Sequence, residues 1–317
     1  MDMALIVFRQ VVILIIFVVM GIIGVKSGKI TTDVSKNLSN ILLYFVNPFL
    51  IIDSLSVEYD SQKTAGFLVC LAVSAGIHIV CIFGAHFIFL RKGNPNRLPI
   101  ERFAVVLSNA GYIGIPLISG IFGKEAVFYL VAYMVCYNIF SCTYGMWVLQ
   151  KDRRMNLKKM LINPGNIGCA IGLTIYFLRI PIPGMVQTVV SSTANVNTFL
   201  SLFAIGIICA GLNIPDLLKN RRGLYVALCR LVFLPAIVFA MLIWWIPLVL
   251  PENGVLVASV LTTAALTPTA MALSFMCQIS GRDPLYGSNV LALSTVLCCV
   301  TVPVMTTILT AVLNWIY

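Results

Sequence analysis

The chain alternates between long apolar blocks and short polar breaks. Most blocks are about 20 residues long, the length of a helix that crosses the hydrocarbon core of a bilayer. Ten such blocks can be counted, and we predict an all-α membrane protein with ten transmembrane helices. The predicted helices, numbered one to ten, are approximately Ala4–Val25, Asn37–Val57, Ala65–Leu90, Phe103–Phe122, Ala126–Leu149, Pro164–Leu178, Gln187–Leu212, Leu224–Leu250, Gly254–Ile279 and Leu285–Ile316.

Composition supports a protein that lies in the bilayer. Of the 317 residues, 60% are hydrophobic and only 10% are charged, whereas soluble domains carry about 25% charged residues. The net charge of +10 falls in short runs between the apolar blocks, so a nucleic-acid partner, which needs one clustered basic face, is not expected. All ten cysteines lie inside apolar blocks without metal-ligand spacing, and we expect neither a metal site nor a disulfide framework.

The distribution of Lys and Arg predicts the orientation. Cytoplasmic loops of membrane proteins carry an excess of these residues. Here sixteen of them lie in the odd-numbered loops and four in the even-numbered loops. We therefore predict cytoplasmic odd loops and two extracytoplasmic termini in the cell membrane. The odd-loop residues are Lys26, Lys29, Lys36, Arg91, Lys92, Arg97, Arg102, Lys151, Arg153, Arg154, Lys158, Lys159, Lys219, Arg221, Arg222 and Arg282.

The middle of the chain divides the helices into two sets of five. The longest cytoplasmic loop, KDRRMNLKKM, separates them. Two repeats with an odd number of helices must insert in opposite orientations, as in many secondary transporters. We predict a first inverted repeat at residues 1–150, a cytoplasmic linker at 151–162 and a second inverted repeat at 163–317.

The fourth predicted helix contains residues that break helices. The segment SNAGYIGIPLISGIFG, at residues 108–123, includes Gly111, Gly114 and Pro116. Proline lacks the backbone donor and blocks the carbonyl four residues earlier, that of Tyr112, and glycine lets the chain leave helical angles. At about 1.5 Å per residue this break would lie near the middle of the membrane.

The ninth helix has a similar feature in LTTAALTPTAMAL. Thr267 followed by Pro268 and Thr269 is typical of an N-cap with proline at the first helical position, so we predict that a second half-helix begins there. Two ordinary kinks are the alternative. Breaks at equivalent depth in corresponding helices favour a binding site made of half-helix ends and freed carbonyls.

Four segments carry a family resemblance: SNAGYIGIPL, YNIFSCTYG, LINPGNIGCAIGL and PLYGSNVLALSTVLCCVTVP. They resemble the auxin efflux carrier family, which includes plant auxin exporters and bacterial permeases annotated for malate or malonate. The resemblance implies two inverted five-helix repeats, with helices four and nine crossing at the substrate site. It also implies a homodimer and an elevator-like motion of helices three to five and eight to ten against a scaffold of helices one, two, six and seven.

The resemblance also implies roles for individual residues. Asn109, seven residues before Pro116, would contact a substrate carboxylate. Asn138 would face the crossover, or else make a hydrogen bond between helices, and Ser294 and Thr295 are its approximate counterparts in helix ten. The chain lacks the long central hydrophilic loop of the plant exporters and has Thr-Pro-Thr where they have a Pro-Gln-Gly run, so auxin is not carried over as the substrate.

A few other polar residues lie within the apolar blocks. Asn47, before Pro48, is predicted to bend helix two, where it would either line the scaffold side of the pocket or serve only as a kink. Asp53 lies near the outer end of the same helix, and it is interpreted either as functional or as reaching the surface. We expect the Arg230 side chain to reach the cytoplasmic interface, with attraction of anions as the alternative.

These features together favour a transporter of small organic carboxylate anions. No carboxylate lies at the predicted midplane, and two half-helix N-termini supply positive partial charge. No cofactor is expected, although coupling to Na⁺ or H⁺ is left open. The alternatives are a Na⁺- or H⁺-coupled carboxylate importer of the same fold, and a channel or sensor built on it. An enzyme is not expected, because the chain has no H-E-x-x-H, no G-x-S-x-G and no paired aspartates.

Overall fold

The computed structural model describes residues 3–89, 94–150, 164–211, 217, 219–250 and 252–316. All ten predicted apolar blocks are helical in these ranges, and the fourth and ninth are each divided into two separate helices. Among the described residues no strand forms apart from one isolated bridge. The predicted linker at 151–162, with its basic residues, and the loop residues Arg91 and Lys92 lie outside the described residues.

The first half of the chain forms six helices within the described ranges. They are α1 (Met3–Lys26), α2 (Val34–Leu55), α3 (Ser61–Ile88), α4 (Leu98–Val106), α5 (Ala110–Phe122) and α6 (Lys124–Leu149). The second half forms another six in the part that the structure describes. They are α7 (Pro164–Leu178), α8 (Gly184–Ala210), α9 (Arg221–Val249), α10 (Gly254–Leu266), α11 (Ala272–Ile279) and α12 (Pro284–Ile316).

Seven of the described helices, α1, α2, α3, α6, α8, α9 and α12, are long and apolar enough to cross a membrane. The apolar helices α5, α7 and α10 are shorter than a full span, so α5 and α10 would each need the other half of a broken helix to cross it. The division of the two apolar blocks therefore places irregular backbone between half-helices. Such backbone is tolerated at membrane depth only inside protein or beside a water-filled cavity.

Three helices, α2, α5 and α9, contain a π-helical turn just before a proline. The turns Leu42–Val46, Ala110–Gly114 and Cys229–Phe233 end two residues before Pro48, Pro116 and Pro235. Proline cannot donate to the carbonyl four residues earlier and its ring pushes against that carbonyl, so the preceding turn opens. The helix therefore continues through each proline with a local bulge that redirects the side chains of that turn.

The helices pack in two groups. The helix α1 runs along α8, and α2 packs against both α7 and α8. In the other group α3 packs against α6, α9 against α10, and α11 against α12. In the first group, the α1–α8 pair and the α2–α7 pair each depend on glycine. A Cβ on Gly206 of α8 would overlap the carbonyl oxygen of Val18 in α1, and one on Gly168 of α7 would lie 2.7 Å from the Pro48 Cα in α2.

Contacts near the ends of the helices distinguish the two ends of the molecule. At one end Arg282 donates to the Leu149 carbonyl at 2.7 Å, and Arg222 makes a bidentate ion pair with the buried Glu101. At the other end Lys63 lies 3.7 Å from Glu125, and the Asp53 carboxylate in α2 accepts hydrogen bonds from α8. We number the connections by the ten predicted helices. The odd-numbered connections then lie at one end, which we call the basic end, and the even-numbered connections lie at the other.

Candidate functional site

The two divided helices cross through a short stretch of paired extended backbone. Between α4 and α5 the chain leaves helical geometry at Leu107–Asn109, and between α10 and α11 it does so at 267–270. The Asn109 amide donates to the Pro268 carbonyl at 2.7 Å, and the Ala270 amide donates to the Leu107 carbonyl at 2.9 Å. These two bonds form an isolated antiparallel bridge between Ser108 and Thr269. We call residues 107–109 and 267–270 the crossover.

Neither break has the position or geometry that the sequence predicts. The break in the fourth predicted helix lies at Leu107–Asn109, and Pro116 falls within α5 after the π-helical turn. The prediction that Thr267 and Pro268 start a half-helix is wrong, because α11 begins at Ala272. Thr267 instead closes α10: its hydroxyl donates to the Ala264 carbonyl at 2.8 Å. The Asn109–Pro268 pairing keeps both segments extended past the positions where local propensity would restart a helix.

Arg230 binds the carbonyl groups that the breaks set free. Its Nε donates to Thr267 O at 3.1 Å and its Nη2 to Ala265 O at 2.8 Å, both at the end of α10. Its Nη1 donates to Val105 O at 3.0 Å and Val106 O at 3.4 Å, at the end of α4. Arg230 is 1% exposed, so the expectation that it reaches the cytoplasmic interface is wrong. The bonds to both half-helix ends hold the guanidinium inside the protein.

The side chain of Asn109 is not used to hold the crossover together. Its backbone carbonyl accepts from the amides of Ile113 and Gly114 at 3.1 and 3.2 Å. The side chain is 3% exposed, and its Nδ2 has no hydrogen-bond partner among the described residues. Buried amide groups are nearly always paired. An unpaired Nδ2 beside half-helix ends therefore provides a donor for an incoming acceptor.

The remaining polar groups of the crossover are paired with protein. The Thr269 amide donates to Ser294 Oγ at 3.2 Å, and the Thr269 hydroxyl donates to the Ala104 carbonyl at 3.1 Å. Ser108 Oγ lies 3.0 Å from the Tyr133 hydroxyl. Gly114 lies so close to Thr267 that an added Cβ would be 3.4 Å from its methyl group. These contacts fix the position of the crossover between α6 and α12.

A cavity of about 470 Å³ leads from the basic end towards the crossover and ends beside the first turns of α5 and α11. Tyr112, Met271 and Ala272, which follow the crossover segments along the chain, line its inner end, and Gly211 and Leu285 line it at the basic end. Among its described lining residues Lys36 is the charged one, and none is acidic. Its other polar lining residues are Thr32, Ser35, Ser39, Asn40, Ser274, Gln278 and Ser288.

On the opposite side of the crossover, α1 packs directly on α5. Gln10 Nε2 donates to the Pro116 carbonyl at 2.8 Å, and a Cβ added to Gly120 would overlap the Gln10 amide. On α8, Ser201 Oγ donates at 3.2 Å to the Tyr112 carbonyl, the group that Pro116 was predicted to free. Besides these contacts, the described residues leave a small apolar gap of about 30 Å³ between α1 and α5. The cavity therefore approaches the crossover from the basic end, as far as Tyr112 and Met271.

A family model described as membrane transport protein matches residues 6–155 and 150–306, which is nearly all of the chain. The chain belongs to this family. It is the auxin efflux carrier family, and the predicted resemblance is confirmed. Among curated proteins, none matches the chain with significant similarity. The protein is thus an integral membrane protein of a transporter family, which is not a family of enzymes.

Three predicted site residues of this membrane transport protein do not join the crossover. Thr295 donates to the Leu291 carbonyl of its own helix and lines a small apolar gap beside α1. Asn138 is half-buried in α6 and interacts with Cys169 of α7. Asn47 follows the first π-helical turn and is half-buried in α2. Among described residues neither asparagine has a hydrogen bond to the crossover, and a role in substrate binding stays a prediction for all three.

Sequence reasoning missed several polar residues that face this region. Gln10, Lys36 and Ser201 were not singled out. Asn197, one turn before Ser201 on α8, is 1% exposed, and neither of its amide atoms has a hydrogen-bond partner among the described residues. Asn197 and Ser201 could have been found from their spacing of four residues on an apolar helix, which puts both side chains on one face. Lys36 has no comparable signal, because it looks like any other loop charge.

Proposed function

We propose that the protein is a secondary transporter of small organic carboxylate anions, with the substrate bound at the crossover. The cavity is the observation that carries this proposal. It ends at Tyr112 and Met271, it contains Lys36, and its described lining residues include no acidic side chain. A cavity lined by one sign of charge raises the local concentration of ions of the opposite sign. A small anion is therefore the ligand that its chemistry favours.

The half-helices support the same ligand class. The helices α5 and α11 begin at the crossover, so their N-termini place partial positive charge there. The negative C-termini of α4 and α10 are already occupied by Arg230. The unpaired Nδ2 of Asn109 adds a neutral donor. We infer that the substrate carboxylate accepts from Asn109 and lies near the start of α5. Gly111, Tyr112 and Gly114 would leave space for it there.

Two groups of helices suit an elevator mechanism. We propose that α1, α2, α7 and α8 form a scaffold and that the other described helices carry the crossover across the membrane. The tight pairs α1–α8 and α2–α7, each made by glycine, correspond under exchange of the two halves. This correspondence supports inverted repeats at residues 1–150 and 163–317. The cavity lies between scaffold residues such as Ser39 and moving residues such as Ser274, as expected of a state open at the basic end.

Orientation and energetics follow from the same proposal. If the basic end faces the cytoplasm, both termini are extracytoplasmic and the state is inward-facing. Moving one negative charge outward along an inside-negative potential is favourable by about 2.3 kcal/mol per 100 mV. Export therefore needs no coupling ion, whereas import would need Na⁺ or H⁺. A homodimer in the cell membrane completes the proposal and rests on the family.

The experiment is flux in liposomes that contain the purified protein. Labelled mono- and dicarboxylates are tested for saturable uptake, and unlabelled substrate on the opposite side is then added. We expect saturation and acceleration by counter-exchange, which a carrier shows and an open channel does not. Thermal shifts of the detergent-solubilised protein with the same compounds provide an independent readout, since a ligand at 100 times its Kd stabilises by about 2.7 kcal/mol.

Two results would contradict the proposal. Flux that rises linearly with concentration and shows no counter-exchange would indicate a channel. Flux of a cation, or a thermal shift with cations and with no carboxylate, would show that the anion assignment is wrong. A mutant that retains the fold but lacks the Asn109 amide serves as the matched control for liposome leakage.

A further inference from the structure

Arg230 lies in an unusual environment for a charged side chain. It is 1% exposed and sits in the π-helical turn Cys229–Phe233 of α9. It donates to four backbone carbonyls, those of Val105, Val106, Ala265 and Thr267, and it also interacts with the neutral Tyr133 hydroxyl. Within the described ranges no carboxylate forms an ion pair with it. A buried charge is costly unless it is compensated, so the carbonyls must do what a counter-ion usually does.

The two half-helix C-termini provide that compensation. Each helix C-terminus carries about half a negative charge, so α4 and α10 together supply roughly one. In continuous helices the Asn109 and Thr269 amides would bond the Val105 and Ala265 carbonyls, but here they donate to the Pro268 carbonyl and to Ser294 Oγ. The last carbonyls of both half-helices are therefore left without backbone donors. A planar guanidinium has five N–H donors and can reach both sets at the same time.

A cluster of carbonyl oxygens at two half-helix C-termini is also the arrangement that binds coupling cations in transporters with broken helices. We propose that Arg230 is a tethered cation that occupies such a position, and that its removal opens a site for a small free cation. It acts as a positioning residue: it holds α4 and α10 together and leaves the α5 and α11 N-termini as the uncompensated charge near the substrate. One consequence of this role, that carboxylate flux does not depend on Na⁺, rests on the proposed transport function.

The test measures cation binding directly. Wild-type protein, Arg230→Ala and Arg282→Ala are compared by thermal unfolding in choline chloride, and then with Na⁺ or millimolar guanidinium at equal ionic strength. Arg282 is the matched control, since it donates to a single carbonyl, that of Leu149. We expect Arg230→Ala to melt at least about 6 °C below wild type in choline and to regain about 3 °C or more with guanidinium or Na⁺. Wild type and Arg282→Ala should not respond to either cation.

If Arg230→Ala does not fold, Arg230→Gln replaces it. Its amide keeps two neutral donors for the carbonyls but brings no charge, so the same response to free cations is expected. The proposal is overturned if the folded variant melts as wild type does, or if neither cation restores its stability. It is also overturned if Na⁺ stabilises the wild type and Arg230→Ala abolishes that effect.

Flux separates this inference from the proposed function. Wild-type carboxylate flux should be equal in Na⁺ and choline, and Arg230→Ala should gain a dependence on Na⁺ or guanidinium of about tenfold or more. A wild-type protein that transports no carboxylate would contradict the proposed function, while the cation-dependent melting of Arg230→Ala would still support the tethered cation. Carboxylate flux by the wild type together with a variant that ignores all cations would contradict the inference alone.

Discussion

The backbone amide of Asn109 donates to the Pro268 carbonyl at 2.7 Å, while the Asn109 side-chain Nδ2 has no partner among the described residues. The backbone and the side chain of Asn109 are thus separable. The backbone joins the two broken helices, and the side-chain Nδ2 takes no part in that joint. The side chain can therefore be changed without removing the bond that holds the crossover.

The first prediction follows from this separation. Asn109→Ala should leave the melting temperature nearly unchanged and weaken carboxylate binding, because one hydrogen bond to a charged group is lost. Such a bond contributes about 1.5–3 kcal/mol, which corresponds to roughly 10- to 150-fold in affinity. Asn109→Asp should weaken binding further, since it places a second negative charge beside the anion. Ligand-induced thermal shifts and liposome flux measure both effects.

A matched change checks that the effect belongs to the side chain. Ser108→Ala removes a neighbouring hydroxyl that bonds Tyr133 at 3.0 Å and should affect stability more than affinity. Wild-type transport by both Asn109 variants would mean that the substrate does not use this amide. If Asn109→Asp increased the flux of a cation, that result would argue against an anion as the substrate.

A second prediction concerns the charge in the cavity. Lys36→Gln should raise the KM for a carboxylate by about fivefold, since a unit charge a few ångströms away contributes on the order of 1 kcal/mol in a solvated site. Added salt should reduce the difference from wild type, because the interaction is screened. Lys29→Gln is the control: Lys29 is exposed and does not line the cavity. Equal KM values for the two variants would show that Lys36 does not attract the substrate.

The sequence predicts the helices well and the crossover only in part. Every apolar block forms helix, and Pro164–Leu178 has the predicted ends. Length and hydrophobicity determine such segments locally, so they can be predicted from the chain. The break near Asn109 is not local in this sense. It lies seven residues before Pro116 because the Asn109–Pro268 pairing joins segments that are far apart in sequence.

Arg230 illustrates the same limit of sequence-based prediction for a charged residue. In the sequence Arg230 follows Arg222 by eight residues, so the sequence alone predicts that its long side chain reaches the interface. The structure brings two helix ends to it from residues 105–106 and 265–267, and these make burial possible. No sequence pattern within α9 predicts that arrangement, because it arises only where α4, α9 and α10 meet in three dimensions.

A third prediction concerns orientation. In a cysteine-free background, Glu252→Cys should react with a membrane-impermeant maleimide in intact cells, and Lys29→Cys should react only after the cells are opened. Both positions are exposed, and they lie in an even and an odd connection respectively. The reason is the excess of Lys and Arg in the odd connections. The opposite labelling pattern would reverse the orientation and remove the argument for export driven by the membrane potential.

A fourth prediction tests the contact between α1 and α8. Gly206→Ala places a methyl group against the Val18 carbonyl and the Gly21 Cα, both of them backbone atoms that cannot turn away. Overpacking of this kind costs about 1–3 kcal/mol, or a fall of roughly 2–10 °C in melting temperature. Gly76→Ala in α3 is the matched control, since its new methyl group meets nothing within 4 Å. The control should melt as wild type does or slightly higher, because alanine favours a helix over glycine by about 1 kcal/mol. If Gly206→Ala melts as high as Gly76→Ala, α1 and α8 are not packed backbone to backbone, and they would not form the rigid scaffold that an elevator requires.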